Sequence, residues 1–192
     1  MAMEGITERK SHIELFPCIV FWDLDNVRPK KTDDIEHLCT RLKAVTAFAL
    51  GKLTGSVLTA ADVFILAYCN QITLRNCRPQ LAALKAMPDT LIMPVSTYRQ
   101  SADMAIIAEM TAVANERDPP VAMALVSCDE GFAGTLRYCC GRGCATLCIG
   151  RARRRPGTAE VSEREMAQWR RQPLPAAAKL AICWEHIASL GM

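Results

Sequence analysis

The feature that most constrains this chain is a beat: short apolar runs alternate with segments whose apolar residues recur at helical spacing. Residues 18–23 (CIVFWD) read as a first strand, and Ile35, Leu38, Leu42, Val45 and Ala49 mark a helix after it. Residues 62–68 read as a second strand, 74–87 as a helix stopped by Pro88, and 90–95 as a third strand. Ser101 is placed to cap a helix carrying Met104, Ile107, Ala108 and Thr111, which Asp118-Pro119-Pro120 ends before a fourth strand at 121–126. A helix over 132–140 and a fifth strand over 145–149 complete the series. Strands that are apolar throughout are covered on both faces. The pattern therefore predicts a three-layer α/β/α sandwich around a mainly parallel five-stranded sheet, of order 3-2-1-4-5 if it is doubly wound.

A sheet of this kind needs a sizeable core, and 192 residues with 51% apolar content supply one. The net charge of +3 and pI near 8.4 do not by themselves mark a nucleic-acid binder. Ten cysteines without any C-x-x-C spacing read as reduced packing thiols rather than disulfides or a zinc site; Cys139, Cys140, Cys144 and Cys148 straddle a Gly141-Arg142-Gly143 turn. The expected setting is intracellular and reducing, in cytoplasm or nucleus, or in an organelle if a transit peptide was removed. No apolar segment reaches the ~18 residues of a membrane span, so no membrane partner is expected.

Past Gly150 the character changes. Arg151, Arg153, Arg154 and Arg155 crowd together before Pro156-Gly157, and two helices are predicted, at 161–171 and 176–190. The expected division is an N-terminal extension over 1–16, an α/β domain over 17–151, and a basic linker with a C-terminal helical segment over 152–192. The arginines read either as a solvated linker or as phosphate contacts. Trp184 and Ile187 belong to an apolar stripe that either packs on the domain or offers a helix to a second copy or a protein partner.

In an open parallel sheet, ligands bind beyond the carboxyl ends of the strands, where the strand order reverses. Asp23 and Asp25 stand at the end of the first strand, Asp129 and Glu130 follow the fourth in VSCDEGF, and Asp103 falls in the first turn of the helix after the third. Each acid alone has an ordinary role as a cap, a turn residue or a partner for a helix dipole. Brought to one rim they repel and raise each other's pKa unless a cation lies among them. Oxygen donors without histidine suit Mg2+ or Mn2+ rather than Zn2+.

Three stretches, VFWDLDNVRP, SADMAIIAEM and ALVSCDEGFAGTLRYCCGRGCATLCIG, resemble the motif blocks of NYN-domain ribonucleases, a PIN-like family with an α/β/α fold. The tryptophan before the first aspartate is similar to that of the meiosis-arrest, or limkain, type, and the chain also looks like plant NYN endonucleases. The resemblance implies metal-dependent hydrolysis of RNA phosphodiesters, with Asp23, Asp103 and Asp129 as metal ligands and Asn26 beside them in the catalytic set. It gives Asp25, Glu130 and Ser127 supporting parts. One departure stands out: Gly131 occupies the position of the second aspartate in the family's S-G-D-S-D-F, and Cys128 replaces its glycine. Glu130 substitutes only if its side chain reaches the rim, since successive residues entering a helix point in different directions.

For the RNA backbone the candidates are Arg28, Lys30 and Lys31 just past the first strand, then Arg99, Arg137, Arg153, Arg154 and Arg155. Tyr98 is either a stacking surface for an unpaired base or a half-buried core edge. Two other functions compete. FWDLDNV also fits the D-x-D-x-T/V opening of haloacid-dehalogenase-type phosphatases, but the fourth residue after Asp129 is Ala133, so the acidic motif that must follow fails. Alternatively, Gly131 and the arginine run mark a domain that binds RNA or recruits a partner without cutting.

Overall fold

The structure, a computed structural model, describes residues 15–98, 100–152 and 161–189. Its strands are β1 (Cys18–Asp23), β2 (Val63–Asn70), β3 (Thr90–Val95), β4 (Ala122–Val126), β5 (Ala145–Gly150) and β6 (Leu180–Cys183). The helices are α1 (Ile35–Thr54), α2 (Gln71–Asn76), α3 (Arg78–Ala86), α4 (Ser101–Glu116), α5 (Ala133–Gly141), α6 (Glu163–Arg170), α7 (Pro173–Ala177) and α8 (Trp184–Ser189). Among the described residues one sheet forms in the order β3-β2-β1-β4-β5-β6, and every ladder in it is parallel.

Alternation along β1 divides the core in two. Val20 and Trp22 face Leu38, Leu42 and Leu50 of α1, Leu84 of α3 and Ile187 of α8. Ile19 and Phe21 face Ile106 and Met110 of α4, Leu136 of α5 and Leu174 of α7. All six residues of β1 are buried, which explains why its sequence carries no polar alternation. Asp34 caps α1 by accepting the His37 N–H at 3.1 Å, and Gly55, in the left-handed conformation at φ 72°, ends it. The ten cysteines are all free, and burial pushes the Cys18, Cys139 and Cys148 thiols up to about 12, so they pack as small apolar groups. No helix among the described residues is long and apolar enough to cross a membrane.

Several expectations need correction. The sheet has six strands among the described residues rather than five, because 176–190 is not one helix. Pro173 and Pro175 confine α7 to a single short turn, Lys179 N–H donates to Thr146 Oγ1 at 3.0 Å, and Leu180–Cys183 then pairs with β5. An Ala-rich apolar segment looks helical in isolation; the open edge of β5, with its unpaired backbone groups, decides otherwise. Trp184 and Ile187, the face considered for a partner, are buried inside the fold, with Trp184 tilted on Trp22 at 5.2 Å between ring centroids. The segment 74–87 breaks at Cys77 because Pro79 has no N–H to continue the α2 ladder. Ser101 is inside α4 rather than its cap, and the buried face of α4 is Ile106, Met110 and Val113, while Met104 is 64% exposed. That helix is apolar nearly all round, so periodicity alone does not choose its face.

The C-terminal segment is therefore part of the core. Trp184→Ala should cost about 3 kcal/mol or more and lower the Tm by roughly 6–12 °C in a thermal melt. An unchanged Tm would mean that α8 does not pack as described.

Candidate active site

The site begins with a tight turn at the end of β1. The Asn26 and Val27 N–H groups donate to the Asp23 carbonyl at 3.3 and 2.9 Å, and the Trp22 indole N–H donates to the Val27 carbonyl at 2.8 Å. The Asp23 side chain is fully buried. Its Oδ1 accepts the Asp25 and Asn26 N–H groups at 3.1 and 3.3 Å, and its Oδ2 accepts the Asn26 side-chain amide and, at 2.9 Å, the Ser127 hydroxyl. Burial pushes its pKa up; the bonds from Asn26 and Ser127 pull it back, and the Asp25 charge raises it again.

Ser127 couples the first and fourth strands. Besides donating to Asp23, its Oγ accepts the Asp129 N–H at 3.1 Å, while its own N–H donates to Ile149 O at 3.0 Å. A Cβ on Gly150 would stand 2.8 Å from the Ser127 carbonyl oxygen, so the end of β5 closes in only because that residue is glycine. Asp129 opens the short turn Glu130–Phe132, with its Oδ1 accepting the Gly131 N–H at 2.8 Å.

Asp103 and Asp129 share a cleft of about 120 Å³, lined also by Gln100, Met104, Gly131 and Phe132. Burial, followed by the charges of Asp23, Asp129 and Asp25, pushes the Asp103 carboxyl up to about 6. The electrostatic tension expected of these acids is thus present at the rim. Asp25 is turned elsewhere: its carboxylate accepts the Asn70 N–H at 3.3 Å and the Thr73 hydroxyl, tying the β1 turn to the start of α2.

Asn26 and Glu130 are exposed, and Glu130 is outside the lining of the cleft. Arg28, Lys30 and Lys31 are exposed between β1 and α1; the Arg28 carbonyl accepts Arg151 Nη2 at 2.7 Å, and the Lys30 N–H donates to Asp33 at 2.7 Å. Arg137 is exposed on α5, away from the cleft lining. Arg99, Arg153, Arg154 and Arg155 lie outside the described residues. Tyr98 is 81% exposed, which removes the core-edge alternative. Gln100, at φ 63° just before α4, also lines the cleft, and nothing in the sequence but that position marks it.

Among the described residues no three His, Cys, Asp or Glu side chains stand close enough to ligate one ion. Asp23 is held back by its four acceptor bonds, whereas Asp103 and Asp129 reach the cleft. Two carboxylates with water in the remaining positions fit Mg2+ or Mn2+, which keep most of their waters. The Cys128 thiol is outside the cleft lining, where its sulfur accepts the Arg151 N–H at 3.2 Å, so the groups that reach the cleft are oxygen donors.

The raised Asp103 pKa has a consequence for metal-free protein. Between the ordinary carboxyl value of 3.8 and about 6 the folded chain binds more protons than the unfolded one, so this contribution is full below 3.8 and lost as pH rises through about 6. Asp103→Asn should raise the Tm near neutral pH by roughly 2–4 °C, allowing for solvent screening, with the gain vanishing near about pH 4. Melts of both proteins in EDTA across that range test this; a gain independent of pH would show that charge repulsion is not its source.

The model of the NYN domain matches residues 17–168 of this chain. A search of curated proteins finds no match. With most of its length matched, the doubly wound sheet in place and carboxylates at its switch point, the chain belongs to the NYN-domain family, a family of PIN-like nucleases.

Proposed function

We propose that this protein is a metal-dependent endoribonuclease that hydrolyses phosphodiester bonds of single-stranded RNA. The observation that supports it is the arrival of Asp103 from α4 and Asp129 from the β4–α5 turn on one cleft, beside the buried Asp23, with Asp103 raised to about 6 by burial and its acidic neighbours. A rim under such tension favours a divalent cation.

Mg2+ or Mn2+, when bound, supplies a Lewis acid for a phosphoryl oxygen and a water of lowered pKa. Asp103 and Asp129 hold it. Asp23 holds the Asn26 amide and the Ser127 hydroxyl, and through Ser127 the backbone of Asp129, so it keeps the rim in shape. Asn26 is exposed, and with its amide nitrogen donating to Asp23 its side-chain carbonyl oxygen is left to accept from a water or a substrate hydroxyl. Arg28, Lys30 and Lys31, exposed on the loop after β1, take the phosphates of the strand beyond the cleft.

A second reading, a domain that binds RNA without cutting it, is favoured by Gly131, where the carboxylate set is one short, and by the lack of three converging ligands among the described residues. Labelled single-stranded RNA incubated in Mg2+, Mn2+ or EDTA, with wild type and Asp129→Asn, separates the two. The nuclease cuts only with metal and loses roughly 100-fold or more in the variant. Intact RNA bound equally by both proteins, with or without metal, would establish the binding domain. A small phosphate monoester should survive in every arm, because the acidic motif that a covalent aspartyl phosphatase needs after Asp129 fails at Ala133.

A further inference from the structure

Apart from its carboxylates, the cleft is lined by the Gln100 amide, the Met104 thioether and the apolar side chains of Ile107 and Phe132. Met104 is 64% exposed, and Tyr98, on the same corner between β3 and α4, is 81% exposed. Core packing explains neither, since α4 buries Ile106 and Met110 instead. The corner is built: Ser101 Oγ donates to the Ser96 carbonyl at 2.6 Å, the Ser101 N–H to the Tyr98 carbonyl at 3.2 Å, and the Met104 N–H to the Gln100 carbonyl at 2.9 Å. Gln100 is held at φ 63°, a region unfavourable to a residue with a Cβ.

We propose that Tyr98 and Met104 form a stacking platform for one unpaired nucleobase of the substrate strand, with the Gln100 amide meeting the edge of that base. The placement of the base next to the phosphodiester rests on the nuclease reading. A neutral, flat heteroaromatic ring is the occupant because an aromatic ring and a thioether both offer it contact, and the Ile107 and Phe132 side chains of the same cleft are apolar. An amide offers a donor and an acceptor, as a base edge requires. The phosphates beyond the cleft meet Arg28, Lys30 and Lys31, exposed between β1 and α1. A duplex hides the faces of its bases, so the platform selects single-stranded RNA.

The test is binding rather than turnover. A short single-stranded RNA carrying one fluorescent adenine analogue is titrated in EDTA with wild type, Tyr98→Ala, Tyr98→Phe and Met104→Ala. Stacking quenches the analogue. Tyr98→Ala should abolish the quenching and weaken binding roughly tenfold, Met104→Ala should weaken it less, and Tyr98→Phe should match wild type. Removing the base at the labelled position should make wild type and Tyr98→Ala equal. No quenching with wild type, or equal affinity of Tyr98→Ala for the intact strand, overturns the platform. Stacking without metal-dependent cleavage would sink the nuclease and leave the platform standing; cleavage with an unaffected Tyr98→Ala does the reverse.

Discussion

The structure turns on the burial of one carboxylate. Asp23 has no exposed surface, and a desolvated carboxyl persists inside a fold only where hydrogen bonds answer it. Its four acceptor bonds dictate what surrounds it: a turn that brings the Asp25 and Asn26 N–H groups back, an amide at Asn26, and a hydroxyl at Ser127. Ser127 reaches Asp23 because Gly150 lets the end of β5 approach the Ser127 backbone, and it then sets Asp129 through its N–H. A single desolvated acid thus coordinates the ends of β1, β4 and β5.

Around that centre the acids divide into two kinds. Asp25 is consumed in holding Asn70 and Thr73, so its charge is answered within the fold. Asp103 is answered by nothing comparable among the described residues, and its pKa reports the strain. In the metal-free chain an amide at that position would serve stability better, which agrees with the role proposed for Asp103 in holding a cation.

The C-terminal segment takes part in the same arrangement. β6 covers the edge of β5, and Trp184 leans on Trp22, whose indole N–H grips the Val27 carbonyl in the turn that shapes Asp23. A segment that resembles an appendage in sequence therefore buttresses the turn from behind. Trp169 of α6 also packs close to Gly150, adding a second support on that side.

What the sequence determined by itself is local and periodic. Apolar runs such as CIVFWD and VFILAYCN are strands because residues apolar on both sides need cover on both faces, and acids that directly follow such runs are placed at the carboxyl edge whatever the details. Asp23 and Asp129 were legible on those grounds, and Asp103 from its place in the first turn of the helix after the third strand. Tertiary structure decided everything that depends on a partner distant in sequence. Leu180–Cys183 became a strand because β5 offered an edge, and α4 turned Ile106 rather than Met104 inward because the sheet lay on that side. Asp25 turned away from the rim because Thr73 and Asn70 were within reach, a contact spanning more than forty residues of chain. Periodicity reports which residues can share a face; only the assembled sheet determines which face is covered and which carboxylates are left looking at one another.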